Sequence, residues 1–596
     1  MKKDYWDRVR EGLSRPGGPD NECEYYPCHH LGQDCSLCFC PFYPCGDTRL
    51  GHYVPSRSGG TVWSCQDCFW IHRPDVALEA RERLAGKGRP DRGTLTQLKS
   101  SLENKHSPLA RSIMVMGATS GAGKTLVAAA LCRILSDLGY RVAPFKSQNM
   151  SSSSSMTAEG GEIAQAQALQ ALAARVDAEA HMNPILLKPK RDDVSQVFVL
   201  GRPYRDMDVP TYYGHFVTEE GAPIVWESYH NLQRRFDFIV IEGAGSPAEI
   251  NIMDVDLANI GTAELTDSPC ILVVNIEWGG AFAYAYGTLL LLPPRQRERF
   301  RGIIINNLRG DAASLQTGID ELERLTGIPV LGVIPHIQHT LPEEDSLKTA
   351  GHDWKGITVG VIRLPHISNF TDLDALEMEP GTSVTYIGEP TALSRVDAIL
   401  IPGSENVRSD LQWLHKSGLE RAIKQRRGEI PILGVGGGYE ILGDRMIGSP
   451  GQDGGGEDIC NGLGLLRAVT HTNANESSSR QVEGMLASGE GIIQGYMLND
   501  GITVTEETPL FLLHSKGEYE EEGSWNSQEK IMGTHVYGLF DLPEFRKKFL
   551  SLCTRTESAG EVLKIEESIE ENIKRLAKVV REHLDIARVF DILEGN

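Results

Sequence analysis

From Ile113 to about Pro342 short apolar runs alternate with longer helix-like segments. The runs read "SIMVMG", "RVAPFK", "FDFIVIEG", "CILVVNI", "GIIINN" and "VLGVIP". Brief apolar strands separated by helical stretches predict βαβ units and a mostly parallel sheet, hence an α/β domain over 112–350. A second alternating set, "ITVGVIRLP", "VDAILIPG", "IPILGVGG" and "IMGTHVYGLF", predicts another α/β domain over 351–550. Residues 76–111 read as a charged helical linker. Residues 551–596, with "SAGEVLKIEESIEENIKRLAKVVREHL", predict a charged amphipathic helix on the surface. Residues 1–75 show little periodicity, and the serine run at 151–155 reads as a flexible loop.

At 596 residues the chain is too long for a single core. Its formal net charge of -22 is spread along the sequence, which argues against nucleic-acid or anionic-membrane partners. No apolar run approaches the roughly 20 residues needed to cross a bilayer. The start, "MKKDYWDRVREGL", lacks the apolar stretch of a signal peptide. A cytoplasmic enzyme is expected.

"GATSGAGKT" follows the strand "SIMVM" and opens the helix "LVAAALCRILSDLG". That setting predicts a phosphate-binding loop, although counted from Gly117 its spacing is one residue longer than GxxxxGK[ST]. Gly117, Thr119, Ser120, Gly121, Ala122 and Gly123 would line the loop. Lys124 would reach the β/γ phosphate oxygens of ATP, and Thr125 would ligate Mg²⁺. Glu242, at the end of "FDFIVIEG", stands where a second Mg²⁺-holding carboxylate is expected.

"PILGVGGGYEILG" has the form of a strand–turn–helix elbow, which in enzymes holds a nucleophile at its tip. Here the tip is Gly436, which has no side chain.

Eight of the twelve cysteines fall between Cys23 and Cys68. Cys23, Cys28, Cys35, Cys38, Cys40, Cys45, Cys65, Cys68 and His72 include CxxC pairs of the kind that place two thiolates on one ion. Zinc, an iron–sulfur cluster and disulfides all remain open, with metal favoured in a reducing compartment. So small and polar a segment needs such a staple to fold.

"GATSGAGKT", "PFKSQNM", "AEGGEIAQAQALQA", "MNPILLKP", "EGAGSPAEIN", "IINNLRGD", "GVIRLPHISNFTDLDALE" and "ILIPGSENVRSDL" occur in this order and resemble the cobyric acid synthase family. The resemblance runs from about 112 to about 545. It implies a P-loop domain built like dethiobiotin synthetase joined to a class I glutaminase-like domain. The implied activity is ATP-dependent amidation of carboxylates of adenosylcobyrinic acid a,c-diamide, a corrinoid. By resemblance Lys146, Gln148 and Asn149 face the transferred phosphate or the corrin. Glu159 and Glu162 lie in a segment that supplies a further acidic group beside Mg²⁺. Asp256 lies near the carboxylate being activated, and Asn306 on the adenine side. The head resembles small cysteine-rich, metal-binding domains.

Three glutaminase motifs depart from the family together. Gly436 replaces the cysteine of "GICGGY", and Tyr537 replaces the histidine of "GTYLHGLFD". Met497 and Asn499 replace the polar residues of "GYEIHMG". Without sulfur no thioester forms. His535 is expected to share a face with position 537, and Cys460 has no matching elbow. In the synthetase half "NIEWGGAFA" stands for "DIDRGGVFA", so Asn275, Glu277 and Trp278 depart in a segment expected near the second substrate; Asn307 replaces a lysine. These features imply an amide ligase using ammonia, free or from a separate glutaminase. The alternative is a non-catalytic nucleotide- or corrinoid-binding protein of the pathway.

Overall fold

The computed structural model describes residues 4–595 apart from 21, 24–32, 48–49, 57–58, 66–67, 69, 87, 107–108, 152, 192, 340, 342–355, 370–372, 449–457, 473–477, 490, 500, 516–517 and 554–564. Cys28 therefore lies outside the described residues.

The P-loop domain forms a six-stranded, all-parallel sheet. Its strands are β1 (Arg111–Gly117), β2 (Val142–Phe145), β5 (Phe238–Glu242), β6 (Cys270–Asn275), β7 (Phe300–Leu308) and β8 (Val330–Pro335), in the order β8-β7-β6-β1-β5-β2. Between β2 and β5 lies a hairpin of β3 (Ser154–Met156) and β4 (Glu162–Ala164). Strand side chains alternate between two cores, as a pleated strand buried on both faces requires. Met114, Ile239 and Leu272 enter one core; Ile113, Val240 and Ile271 enter the other. Helix α1 (Lys124–Asp137) starts from Gly123 in the left-handed region, φ 97°. It covers the second face together with α2 (Gln165–Ala174).

The glutaminase-like domain has its own six-stranded sheet. Strands β9 (Ile357–Ile362), β10 (Thr382–Ile387), β11 (Ala398–Ile401), β12 (Ile432–Val435), β13 (Ser524–Asn526) and β14 (Ile531–Thr534) run in the order β10-β9-β11-β12-β14-β13, with β13 antiparallel. The predicted elbow joins β12 to the short helix α3 (Gly437–Leu442). Strand β15 (Val536–Tyr537) leaves this sheet and pairs instead with the strand Ile492–Asn499.

The C-terminus departs from expectation. Rather than one surface helix, two helices, α4 (Ile565–His583) and α5 (Ile586–Glu594), return to the P-loop domain and complete its core. Ile573, Leu576, Val580, Val589 and Ile592 are buried against α1 and the sheet. Arg133, fully buried on α1, is ion-paired with Glu570. The approach at Gly332 leaves no room for a side chain, since a Cβ there would lie 2.0 Å from the His583 carbonyl oxygen. Sequence periodicity showed one apolar stripe correctly; which domain covers it is a long-range matter.

The head also ends later than position 75. Helices Pro74–Leu84 and Arg92–Lys105 belong to its core, where Val76, Ala77, Ala80 and Leu102 join Leu37, Phe42, Trp70 and Ile71. The serine run is likewise no loose loop: Ser151, Ser153 and Ser154 are buried. Among the described residues no helix is long and apolar enough to cross a membrane.

Because Leu576 is buried between α4 and α1, Leu576→Ala should destabilise the P-loop domain by about 2–5 kcal/mol. Urea denaturation checks this; a change under 0.5 kcal/mol would fit the surface helix of the sequence reading instead.

Candidate active site

The site is organised around Glu242, only 1 % exposed at the end of β5. Its Oε1 accepts from the Thr125 hydroxyl at 2.8 Å and from Lys146 Nζ at 3.1 Å. Its Oε2 accepts from the Gln170 amide at 2.5 Å and, more distantly, from Gln167 at 3.4 Å. Asn149 in turn donates to Gln167 at 3.1 Å. A buried carboxylate demands this many partners, because desolvation otherwise costs several kcal/mol.

Lys124 is 4 % exposed, and its ammonium donates to the carbonyl of Gly245 at 3.1 Å. Thr125 and Glu242 together offer hard oxygen donors of the kind Mg²⁺ takes. Asp256 holds the loop after β5 rather than standing free. Its Oδ1 accepts from the amides of Ala258 and Asn259 at 2.9 and 3.0 Å, and burial raises its carboxyl above the ordinary carboxylate range. Asn259 then ties back to Ala244 at 2.7 Å. Gln148 accepts from the Tyr212 hydroxyl at 2.8 Å.

A cavity of about 490 Å³ opens beside the P-loop. Ser120, Gly121, Lys124 and Thr125 line one side, Asn306, Pro335 and His336 the other, and Leu576 and Val580 of α4 contribute to its wall. Asn306 donates to the Ala122 carbonyl at 3.0 Å, so it braces the loop itself.

Three expectations require correction. Glu159 is exposed on the Thr157–Gly161 turn, outside the hydrogen-bond network of Glu242; a charged side chain on a tight turn takes the solvated position. Glu162 is the buried carboxylate of that segment, and it is ion-paired with Lys188. Asn275, Glu277, Trp278 and Asn307, expected near the second substrate, line the P-loop cavity. Asn275 donates to the Gly121 carbonyl at 3.2 Å, and Trp278 covers Gly121 so closely that a Cβ there would lie 2.6 Å from the indole. Glu277 is ion-paired with Arg309 at 2.7 Å. Last, His535 and Tyr537 do not share a face. The chain changes sheets between β14 and β15, turning His535 onto the Tyr439 ring and to Thr503 Oγ1 at 2.7 Å.

At the elbow Gly436 has φ 54° and ψ -121°, a geometry open to glycine at little cost. A Cβ on Gly436 would lie 1.8 Å from the Tyr537 hydroxyl. The tyrosine thus fills the volume a nucleophile would need. Met497 is buried, and its sulfur faces an Arg480 nitrogen at 3.8 Å. Cys460 lies on the strand Asp458–Asn461, away from any elbow.

In the head, Cys38, Cys40, Cys45, Cys65, Cys68 and His72 line a second cavity of about 180 Å³. Burial, then neighbouring thiols, raises Cys40, Cys65 and Cys68, the last up to about 12. Among the described residues no group of three or more His, Cys, Asp or Glu is placed as a finished metal site. The thiols nevertheless converge on one cavity, a donor chemistry that suits a soft or borderline ion. Cys23 and Cys35 are not among its lining residues.

Sequence reasoning missed the roles of Gln167 and Gln170, although their i, i+3 spacing places both on one face of α2. It also missed Leu576 and Val580, for which the local sequence carries no signal.

Fold and site together define a protein of the amidotransferase class, a P-loop synthetase domain fused to a glutaminase-type domain. Residues 113–346 match the CobQ/CobB/MinD/ParA nucleotide binding domain, 358–545 the CobB/CobQ-like glutamine amidotransferase domain, and 17–88 a cysteine-rich small domain. A probable cobyric acid synthase of Methanothermobacter thermautotrophicus is 42% identical over 505 residues, covering 82% of this chain and 100% of that one. Cobyric acid synthases of Photorhabdus laumondii and Salmonella typhimurium are 39% and 37% identical over 81% and 82% of this chain, and 98% and 99% of theirs. The chain belongs to the cobyric acid synthase family.

Glu522 and His535 give the elbow region opposing pH responses. Burial raises Glu522 to about 7 and lowers His535 to about 4. A raised folded pKa contributes stability that fades as pH rises towards 7; a lowered one contributes stability that fades as pH falls from about 6.5 towards 4. Glu522→Gln mimics the protonated carboxyl, so it should remove the first response. Its melting temperature relative to wild type should rise between pH 5 and 8, leaving loss only on the acid side. Parallel melting curves for the two proteins across that range would contradict the assignment.

Proposed function

We propose that this chain is an ATP-dependent amide synthetase of cobalamin biosynthesis that amidates carboxylates of adenosylcobyrinic acid a,c-diamide with ammonia as nitrogen donor. The contrast between its two sites carries the reading. Thr125 and Lys146 converge on Glu242, and Lys124 is held in the P-loop by the Gly245 carbonyl, which supports a phosphate and metal site; the Tyr537 hydroxyl fills the space a side chain at 436 would take.

In this reading the substrate carboxylate takes the γ-phosphoryl group and ADP leaves; ammonia then adds to the acyl carbon and phosphate departs. Lys124 neutralises charge on the phosphates, and Lys146, beside Glu242, does so on the transferred group. Thr125 and Glu242 would hold Mg²⁺, which supplies charge neutralisation and phosphate orientation. Asn306 keeps the loop shaped for the nucleotide, and Asp256 orders the β5 loop near the carboxylate being activated. Gln148 and Asn149 face the corrin side. Trp278, against the P-loop, replaces a cation with an apolar face, so nucleotide affinity rather than corrin affinity should register that change. In the head, Cys40, Cys45, Cys65 and Cys68 are the thiols best grouped to take zinc or an iron–sulfur cluster. The nitrogen donor is free ammonia or ammonia from a separate glutaminase.

With MgATP and ammonium, a cobyrinic acid a,c-diamide-type corrinoid should lose about one mass unit per amidation by mass spectrometry, an OH exchanged for NH₂. Glutamine should give neither product nor glutamate. Normal ATP binding with no amidation of any corrinoid would move the chain to the binding-protein class. Glutamate release by the wild type would refute the loss of glutaminase chemistry. The geometry adds a coupling: Gly436→Cys alone should destabilise the domain by collision with Tyr537, and Tyr537→His should relieve it.

The head fragment 1–106, which contains both core helices, should purify with thiolate-bound metal and unfold on chelation. A metal-free fragment that stays folded under reducing conditions would count against the staple.

A further inference from the structure

Tyr537 does more than fill space at the elbow. Its ring stacks on Tyr496, centroids 5.6 Å apart and planes 17° from parallel. The two residues are direct cross-strand partners, so backbone pairing holds the stack. The Tyr496 hydroxyl then crosses to the P-loop domain and donates to the Ser154 carbonyl at 3.3 Å.

Ser154 opens β3, and its amide and carbonyl reach the glutaminase-like domain while its hydroxyl stays within the hairpin. Its amide donates to Asn369 Oδ1 of the glutaminase-like domain at 3.3 Å. Its hydroxyl donates to Glu162 Oε2 at 2.9 Å, and Glu162 is ion-paired with Lys188; both charges are at least nine-tenths buried. Strand β4 continues directly into α2, with Ala164 as the N-cap residue. From α2, Gln167 and Gln170 take Oε2 of Glu242, leaving Oε1 to Thr125 and Lys146. The hairpin is thus continuous in chain with the helix whose two amides hold one oxygen of Glu242.

We propose that Tyr537 and Tyr496 are positioning residues: the glutaminase-like domain uses this stack to hold the 154–164 hairpin, and through α2 to orient Glu242. The inference deepens the synthetase reading above and gives the emptied elbow a present task. The buried tyrosine that blocks one chemistry fixes the geometry of the other. A shift of about 1 Å in α2 would rotate Glu242 away from Thr125, and misplacements of that size cost up to about a hundredfold in rate.

The test uses the full chain in three forms. Tyr496→Phe removes the hydroxyl alone, Tyr537→Ala removes the stack, and Tyr537→Phe retains it. Amide hydrogen exchange over 154–170 should accelerate about fivefold in Tyr496→Phe and more in Tyr537→Ala, the first matching one lost hydrogen bond. It should stay at the wild-type rate in Tyr537→Phe. Ammonium-dependent kcat should fall about tenfold in Tyr496→Phe and Tyr537→Ala with KM for MgATP unchanged, and Tyr537→Phe should restore it. Unaltered exchange in both Tyr496→Phe and Tyr537→Ala would overturn the proposal. Faster exchange with unchanged kcat would also overturn it, since the hairpin would then be loose without consequence. A wild type inactive with ammonium would instead sink the synthetase reading, and the exchange rates would still decide the brace.

Discussion

A single buried carboxylate organises the P-loop half of this protein. Glu242 is almost wholly removed from water, yet it is bound on both oxygens by a hydroxyl, an ammonium and two amides from three different segments. Removing one partner of such a group typically costs about 3–5 kcal/mol, because the remaining charge is left uncompensated. The network therefore ties together the P-loop, the strand after it and α2. That rigidity suits a site that presents a fixed charge pattern to the phosphates of a nucleotide.

The same chain dispenses with rigidity of another kind. An enzyme elbow places its nucleophile in a strained backbone geometry, which costs of order 1–3 kcal/mol. Glycine at 436 relaxes that strain, and the Tyr537 hydroxyl fills the volume a side chain there would take, so the elbow stays packed. The two substitutions form one physical unit: a Cβ at 436 and the phenol at 537 exclude each other. What the domain retains is its contact with the synthetase half, through Tyr496 and Asn369.

The synthetase core itself is not contiguous in sequence. Its second face is closed by α4 and α5, which follow the glutaminase-like domain, and α4 reaches the wall of the nucleotide cavity. In sequence the glutaminase-like domain thus lies between β8 and α4 of the P-loop fold. The family relationship, carried by matches over both domains, agrees with this arrangement.

The sequence by itself determined the parts whose signals are local. Strand runs with helical intervals identified both α/β sheets; a glycine loop between strand and helix located Lys124 and Thr125; and Gly436 marked an elbow with no side chain at its tip. Only tertiary structure decided how those parts meet. His535 and Tyr537 are two residues apart and, by strand periodicity, should share a face, but the chain changes sheets between them. Glu159 and Glu162 are glutamates of one short segment, and only burial tells them apart. Likewise Trp278 belongs to the nucleotide cavity, Ser154 to a buried interdomain hairpin, and Leu576 to a core more than 400 residues from its partners on α1. Periodicity reports which face of an element is apolar. It carries no information about which distant surface covers that face, because that choice depends on packing between segments the local pattern never compares.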